Sequence, residues 1–203
     1  MDKFLNKYRI PSARLQNWDY GWNASYFITI CTASRECFFG EIKNGEMHLS
    51  EIGKIVEYEW LNTPEIRPDM NLILGPFMVM PNHFHAIIMI GENVYNIHGN
   101  ERNNNPGNER KDAMHGVSTF ITKTGDHTIN PKNGFRPQRK NLASIIRGFK
   151  SAVTINARKI HTGFAWQSRY YDHIIRNEQS YQTISDYIIN NPAKWNDDNF
   201  FMK

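Results

Sequence analysis

The sequence predicts an α+β fold of the ferredoxin-like (RNA-recognition-like) type, one antiparallel sheet with helices packed against one face. Two observations predict it. Apolar runs of strand character and amphipathic helical segments follow one another as strand, helix, two strands, helix, strand, helix, with no Gly-rich crossover between them. The chain also has 203 residues, 40% of them hydrophobic, enough for one domain with a real core. Residues 1–203 are therefore expected to form a single domain, interrupted by an insertion at about 91–140.

SYFITICTA (25–33) is rich in β-branched and aromatic residues and reads as the first strand. In SEIGKIVEYEWLN, Ile52, Val56 and Trp60 recur at helical spacing behind Ser50, a candidate N-cap. MNLILGPFMVM and HFHAIIMI are two strand-like runs with Pro-Asn between them as a turn or bulge. From Gly91 to Lys140, as in NIHGNERNNNPGNERKD, periodicity gives way to Asn, Gly, Pro and charge, the composition of a loop-rich insertion. NLASIIRGFKSAVTINARKI is an amphipathic helix, with Leu142, Ile146, Phe149 and Val153 on its apolar stripe. FAWQSRYYDHIIR reads as a strand, and NEQSYQTISDYIINNP as a helix capped by Asn177 and stopped by Pro192, with Tyr181, Ile184 and Ile188 as its core stripe.

The net charge of +4 is unevenly spread. Residues 101–160 hold 12 Lys and Arg against 4 acidic residues, which makes that region +8 and the remainder −4. A concentrated basic region suits a phosphate-backbone binder, or else a flexible loop kept soluble by its charge. Cys31 and Cys37 are too few for a disulfide framework, so a reducing compartment is expected. The N-terminus is polar and basic, and no run of about 18 apolar residues occurs, so neither export nor a membrane span is expected.

His83 and His85 interrupt the apolar run MPNHFHAIIMI. Residues i and i+2 of a strand leave from one face, roughly 6.5 Å apart, so the two imidazoles point the same way. One core and one surface histidine would be a sufficient explanation. A cupin-type site would need a later histidine and a nearby glutamate on the same face, and the carboxylate is missing where it should be; a closed zinc site would need a second Cys or His pair, which is not offered. Two ligands alone suggest an open site completed by another element.

MPNHFH, with YFITICT before it, SIIRGFKSAVT after the insertion, and WQSRYYDHIIRNEQSY and DYIINNPAKW near the end, resembles the REP-associated tyrosine transposases. These belong to the single-tyrosine HUH superfamily of insertion-sequence transposases, named for His, hydrophobic residue, His. The resemblance runs from about Arg9 to Trp195 and omits most of the insertion. It implies a bacterial, cytoplasmic, nucleoid-associated enzyme that cleaves and rejoins single-stranded DNA beside a palindromic hairpin. It further implies a divalent ion, Mg or Mn, held by His83, His85 and Asn191, and Tyr187 as the nucleophile that forms a 5′-phosphotyrosine. Monomers and homodimers both occur in the superfamily. His173 matches a recurrent residue of the family.

The chemistry is coherent in its own terms. Tyr187 and Asn191 stand i, i+4, so one helical face can present both, although Pro192 biases Asn191 away from helical geometry. A free phenol is a weak nucleophile at neutral pH unless the developing charge is stabilised, which a Lewis-acidic ion does. A phosphotyrosine conserves the energy of the phosphodiester bond and so favours strand transfer over hydrolysis. Arg139, Lys140, Arg147, Lys150 and Arg158 offer a DNA track on and before the basic helix, and Trp166, Tyr170 and Tyr171 are candidate stacking residues. The main alternative is a non-catalytic or domesticated hairpin-binding module. A metal-dependent hydrolase of small substrates is a third reading, one that gives the basic helix no role.

Overall fold

The computed structural model describes residues 3–4, 7–8, 15, 18–97 and 139–197. Most of the predicted insertion lies outside the described residues. The elements are β1 (Ala24–Cys31), β2 (Gly40–Lys43), β3 (Glu46–Leu49), α1 (Glu51–Leu61), β4 (Leu72–Val79), β5 (His83–Ile90), α2 (Leu142–Ala157), β6 (Tyr171–Ile175) and α3 (Glu178–Asn190). A four-stranded sheet runs in the order β4-β5-β1-β6, antiparallel throughout. With α1 leading from β1 to β4 and α2 from β5 to β6, this is the ferredoxin-like topology the sequence predicts.

Local chemistry starts each helix where expected. The Ser50 side chain accepts from the Gly53 amide, Asn141 from Ser144 and Asn177 from Ser180. Among the elements that escaped the sequence reading is the hairpin β2–β3. Its turn is Asn44-Gly45, with φ of 53° and 79°, the left-handed pair a type I′ turn needs, and the Asn-Gly dipeptide was its available signal. In the other direction, the strand expected over 164–176 shrinks to Tyr171–Ile175. Phe164 and Trp166 leave the strand path because their rings fill the core, 5.4 Å apart and edge-on.

The sheet has two apolar faces. On one, Tyr26, Ile28 and Ile30 of β1 and Phe84, Ala86 and Ile88 of β5 bury α1 and α2. Trp60 of α1 joins the layers, with ring centroids 5.0 Å from Phe84 and 5.2 Å from Phe149. On the opposite face, Ile87 and Ile175 pack with Ile188 of α3, flanked by Phe27, Met78, Tyr181 and Ile184. The expectation of helices on a single face is thus corrected: α3 covers the second face. The reason lies in β5, whose residues are buried on both sides, as a near-continuous apolar strand requires. Gly75 permits the close approach of α3, since a β-carbon there would stand 2.9 Å from the Tyr181 hydroxyl. Among the described residues no helix is long and apolar enough to cross a membrane.

Candidate active site

The two histidines open β5 on the face that α3 covers. Both are buried, 0% and 1% exposed, with ring centroids 4.5 Å apart, so the pairing of one core and one surface histidine does not describe them. Strand register brings Thr29 opposite His85, and its hydroxyl lies 2.8 Å from His85 Nδ1. His83 Nδ1 lies 2.9 Å from Asn82 Oδ1, while Asn82 Nδ2 donates to the Arg35 carbonyl at 3.1 Å. That second bond sets the orientation of the amide. An amide oxygen only accepts, so His83 carries its proton on Nδ1 and keeps a lone pair on Nε2, the tautomer of a metal ligand. The Arg35 carbonyl reaches Asn82 from a turn in which Ser34 and Arg35 both have left-handed φ, 55° and 57°. Such a conformation costs roughly 1–2 kcal/mol per residue.

Burial holds both imidazoles neutral. It is the main cause pushing His83 down to about 2, with His85 and Arg35 adding to it, and it pushes His85 down to about 3. The unfolded chain would take up protons on both near pH 6.5, whereas the folded protein does not until far lower pH. Stability linked to this pair is therefore complete above about pH 6.5 and declines as pH falls toward the folded values. At pH 5 the deficit approaches about 2 kcal/mol per histidine. We expect the urea midpoint to drop between pH 7.5 and 5.0, and His83→Gln to remove about half of that drop; a midpoint that does not change over this range would contradict the neutral, buried pair.

The last helix supplies the remaining groups. With Ser185 and Ile188 turned into the protein, Tyr187 lies at the flank of α3, 45% exposed. Its hydroxyl stands 3.2 Å from His85 Nε2. The Phe27 ring stacks on His85 at 5.5 Å and meets Tyr187 edge-on at 6.2 Å, which fixes the approach of the two. Asn191 keeps helical angles, φ −59° and ψ −43°, despite Pro192 after it, so the i+4 direction survives. Its side chain is 3% exposed, and its Oδ1 is buried with no hydrogen-bond partner among the described residues. Four residues on, the Trp195 ring lies 5.9 Å from His83. Asn191 thus falls between a contact to His85 and a contact to His83.

Two neutral imidazoles, one of them with its tautomer set by Asn82, and a buried amide oxygen fit a divalent cation. Among the described residues there is no group of three or more His, Cys, Asp and Glu, so this donor set has no formal charge of its own. An ion held there would keep its full charge toward an incoming anion.

The five cations expected along a DNA track divide into two groups. Lys150 donates to the Gln167 carbonyl at 2.5 Å and Arg158 to the Phe164 carbonyl at 3.0 Å, so both brace the segment that follows α2. Arg139, Lys140 and Arg147 gather at the start of α2 with Arg67, which the sequence reading did not single out. Of the candidate stacking residues, Trp166 and Tyr170 pack against the core. Tyr171, 57% exposed, stands edge-on to Phe27 at 6.1 Å on the histidine face. His173 is exposed on that face too, opposite Phe27. Asn82 and Thr29 also went unpredicted; Asn82 directly precedes the motif, whereas only register brings Thr29 to it.

No family model matches the chain. A Haemophilus influenzae protein described as uncharacterized is 36% identical over 192 residues, covering 94% of this chain and 92% of its own. Among solved structures, that of a REP-associated tyrosine transposase bound to a REP hairpin is similar with a TM-score of 0.51 and 16% identity, covering 92% of this chain and 74% of that one. A putative transposase from Deinococcus radiodurans follows with a TM-score of 0.38 and 12% identity.

Proposed function

The chain belongs to the family of that Haemophilus influenzae protein and has the fold of a REP-associated tyrosine transposase, and from these premises we propose that it is a tyrosine transposase of the HUH kind. It nicks single-stranded DNA beside a hairpin and rejoins it through a covalent 5′-phosphotyrosine. The observation that carries this reading is Tyr187, a 45% exposed residue whose hydroxyl stands 3.2 Å from a buried, neutral His85.

His83, His85 and Asn191 would hold a divalent ion, Mg or Mn. Bound there, the ion would withdraw electron density from a phosphate oxygen and offset the charge that develops on the phosphorus centre. A neutral His85 has one ring lone pair, so Nε2 either accepts from the Tyr187 hydroxyl or would serve the ion, and an ion held there would release that hydroxyl toward the phosphate. Tyr187 attacks the phosphorus; its O–P bond forms as the bond to the 3′ oxygen breaks, the phenolic proton is lost to solvent, and the departing 3′ oxygen takes up a proton from solvent to leave as the 3′-hydroxyl. Reversal by another 3′-hydroxyl completes strand transfer. Phe27 and Tyr171 present aromatic surface to an unpaired base near that phosphate.

The test is incubation with a labelled hairpin oligonucleotide carrying a single-stranded flank, in the presence of Mn²⁺. A covalent protein–DNA band that resists denaturant is the expected result. Hairpin binding without such a band under any divalent ion would instead favour the non-catalytic hairpin-binding module.

A further inference from the structure

Asn82 sets the tautomer of His83, but His85 meets a hydroxyl at each ring nitrogen. Thr29 Oγ1 lies 2.8 Å from Nδ1, and the Tyr187 hydroxyl lies 3.2 Å from Nε2. A hydroxyl both donates and accepts, so hydrogen bonding alone allows the single proton of this neutral, buried ring on either nitrogen. The two arrangements differ in what the nucleophile faces. With the proton on Nδ1, Nε2 turns its lone pair toward Tyr187 and toward the place of the proposed ion. With the proton on Nε2, an N–H fills that direction, and neither the phenolic hydrogen nor a cation is received there.

Geometry fixes the contact between Thr29 and the ring. Thr29 is 5% exposed and lies on β1, where it is paired on both sides, to His85 of β5 and to Tyr171 of β6, so its backbone is held by two ladders. Its branched side chain has little freedom at χ1. Turning the imidazole over is opposed on three sides: Phe27 stacks on it at 5.5 Å, and His83 and Tyr187 meet it edge-on at 4.5 Å and 5.2 Å. Chemistry then fixes the direction of the two bonds. A phenol is a far stronger acid than an aliphatic alcohol, hence the better donor and the poorer acceptor. Tyr187 donates to Nε2, and the Thr29 oxygen accepts from Nδ1.

We propose that Thr29 is a positioning residue: by accepting from His85 Nδ1 it keeps the Nε2 lone pair aimed at Tyr187 and at the ion site. It does for His85 from the neighbouring strand what Asn82 does for His83 from the adjacent residue. Thr29→Val isolates this role, since valine keeps the branched shape and removes the oxygen. A proton left on Nδ1 would then be buried with no acceptor, whereas on Nε2 it reaches the oxygen of the half-exposed Tyr187, so the tautomer should reverse. The inference rests on the proposed function for the ion; the tautomer belongs to the protein without one.

The test is long-range proton–nitrogen NMR of histidine-labelled protein at neutral pH without ion, with the His85 signals assigned by their loss in His85→Ala. Mn²⁺ titration calorimetry accompanies it. Wild-type His85 should carry its proton on Nδ1. Thr29→Val should carry it on Nε2 and bind Mn²⁺ about 10–100-fold more weakly, and Thr29→Ser should restore both readouts. The wild-type spectrum decides by itself should the valine variant not fold. A wild-type proton on Nε2, with the DNA adduct still forming, would overturn the role of Thr29 and leave the proposed function standing. Affinity lost in Thr29→Val with the proton still on Nδ1 would make Thr29 a packing residue and overturn the proposal, as would a variant unchanged in both readouts. The expected tautomers in a protein that binds no Mn²⁺ and forms no adduct would support Thr29 and remove the catalytic reading.

Discussion

Tyr187→Phe is expected to eliminate the covalent protein–DNA adduct, a fall of roughly a thousandfold or more, with hairpin affinity and melting temperature close to wild type. The substitution removes one oxygen, and two neighbouring hydroxyls of α3 are spent within the helix: that of Ser185 donates to the Tyr181 carbonyl and that of Thr183 to the Gln179 carbonyl. Loss of a covalent nucleophile commonly costs several orders of magnitude. The phenyl ring that remains keeps its edge contact with Phe27, and the change gives up one hydroxyl contact to His85, so stability should fall by about 1 kcal/mol. Denaturing gels of wild type and variant on the same labelled hairpin make the measurement. An adduct undiminished in the variant would refute the assignment of the nucleophile.

The second large effect is on divalent-ion binding. Titration calorimetry with Mn²⁺ should detect one site in wild type and none in His83→Ala or His85→Ala. In Asn82→Ala affinity should fall about 10–100-fold, the usual consequence of losing the group that orients a ligand histidine. Without Asn82 Oδ1 the His83 ring is no longer held to the tautomer with a proton on Nδ1. Asn191→Ala should weaken binding as well, because its buried amide oxygen would be the third donor of the proposed site. Adduct yield should follow ion affinity across the four variants. Equal Mn²⁺ affinity in all of them would place the ion elsewhere and end the three-residue assignment.

Much of the fold was legible in the sequence because its signals are local. Ser50 and Asn177 cap helices by bonds that span three residues, and the apolar stripes of α1, α2 and α3 follow from a 3.6-residue period. The Asn44-Gly45 hairpin was equally local and was passed over. The breakup of the stretch 164–176 was not legible, since Phe164 and Trp166 have β-forming side chains whose destination is a core shared with Phe39 and Phe149.

For the site, sequence by itself determined the residue types, the i, i+2 histidines on one strand face and the i, i+4 pair of Tyr187 and Asn191 on one helix. Tertiary structure alone decided that the two halves meet: α3 covers the face of β5 that bears the histidines, and the Tyr187 hydroxyl comes to 3.2 Å from His85. Register across β1 and β5 supplied Thr29, and the pairing of the 67–71 turn with α2 supplied Arg67. The physical reason is one of range. Periodicity and capping act over a few residues along the chain, whereas the face a helix covers is set by apolar burial between residues a hundred positions apart, and no local pattern encodes that choice.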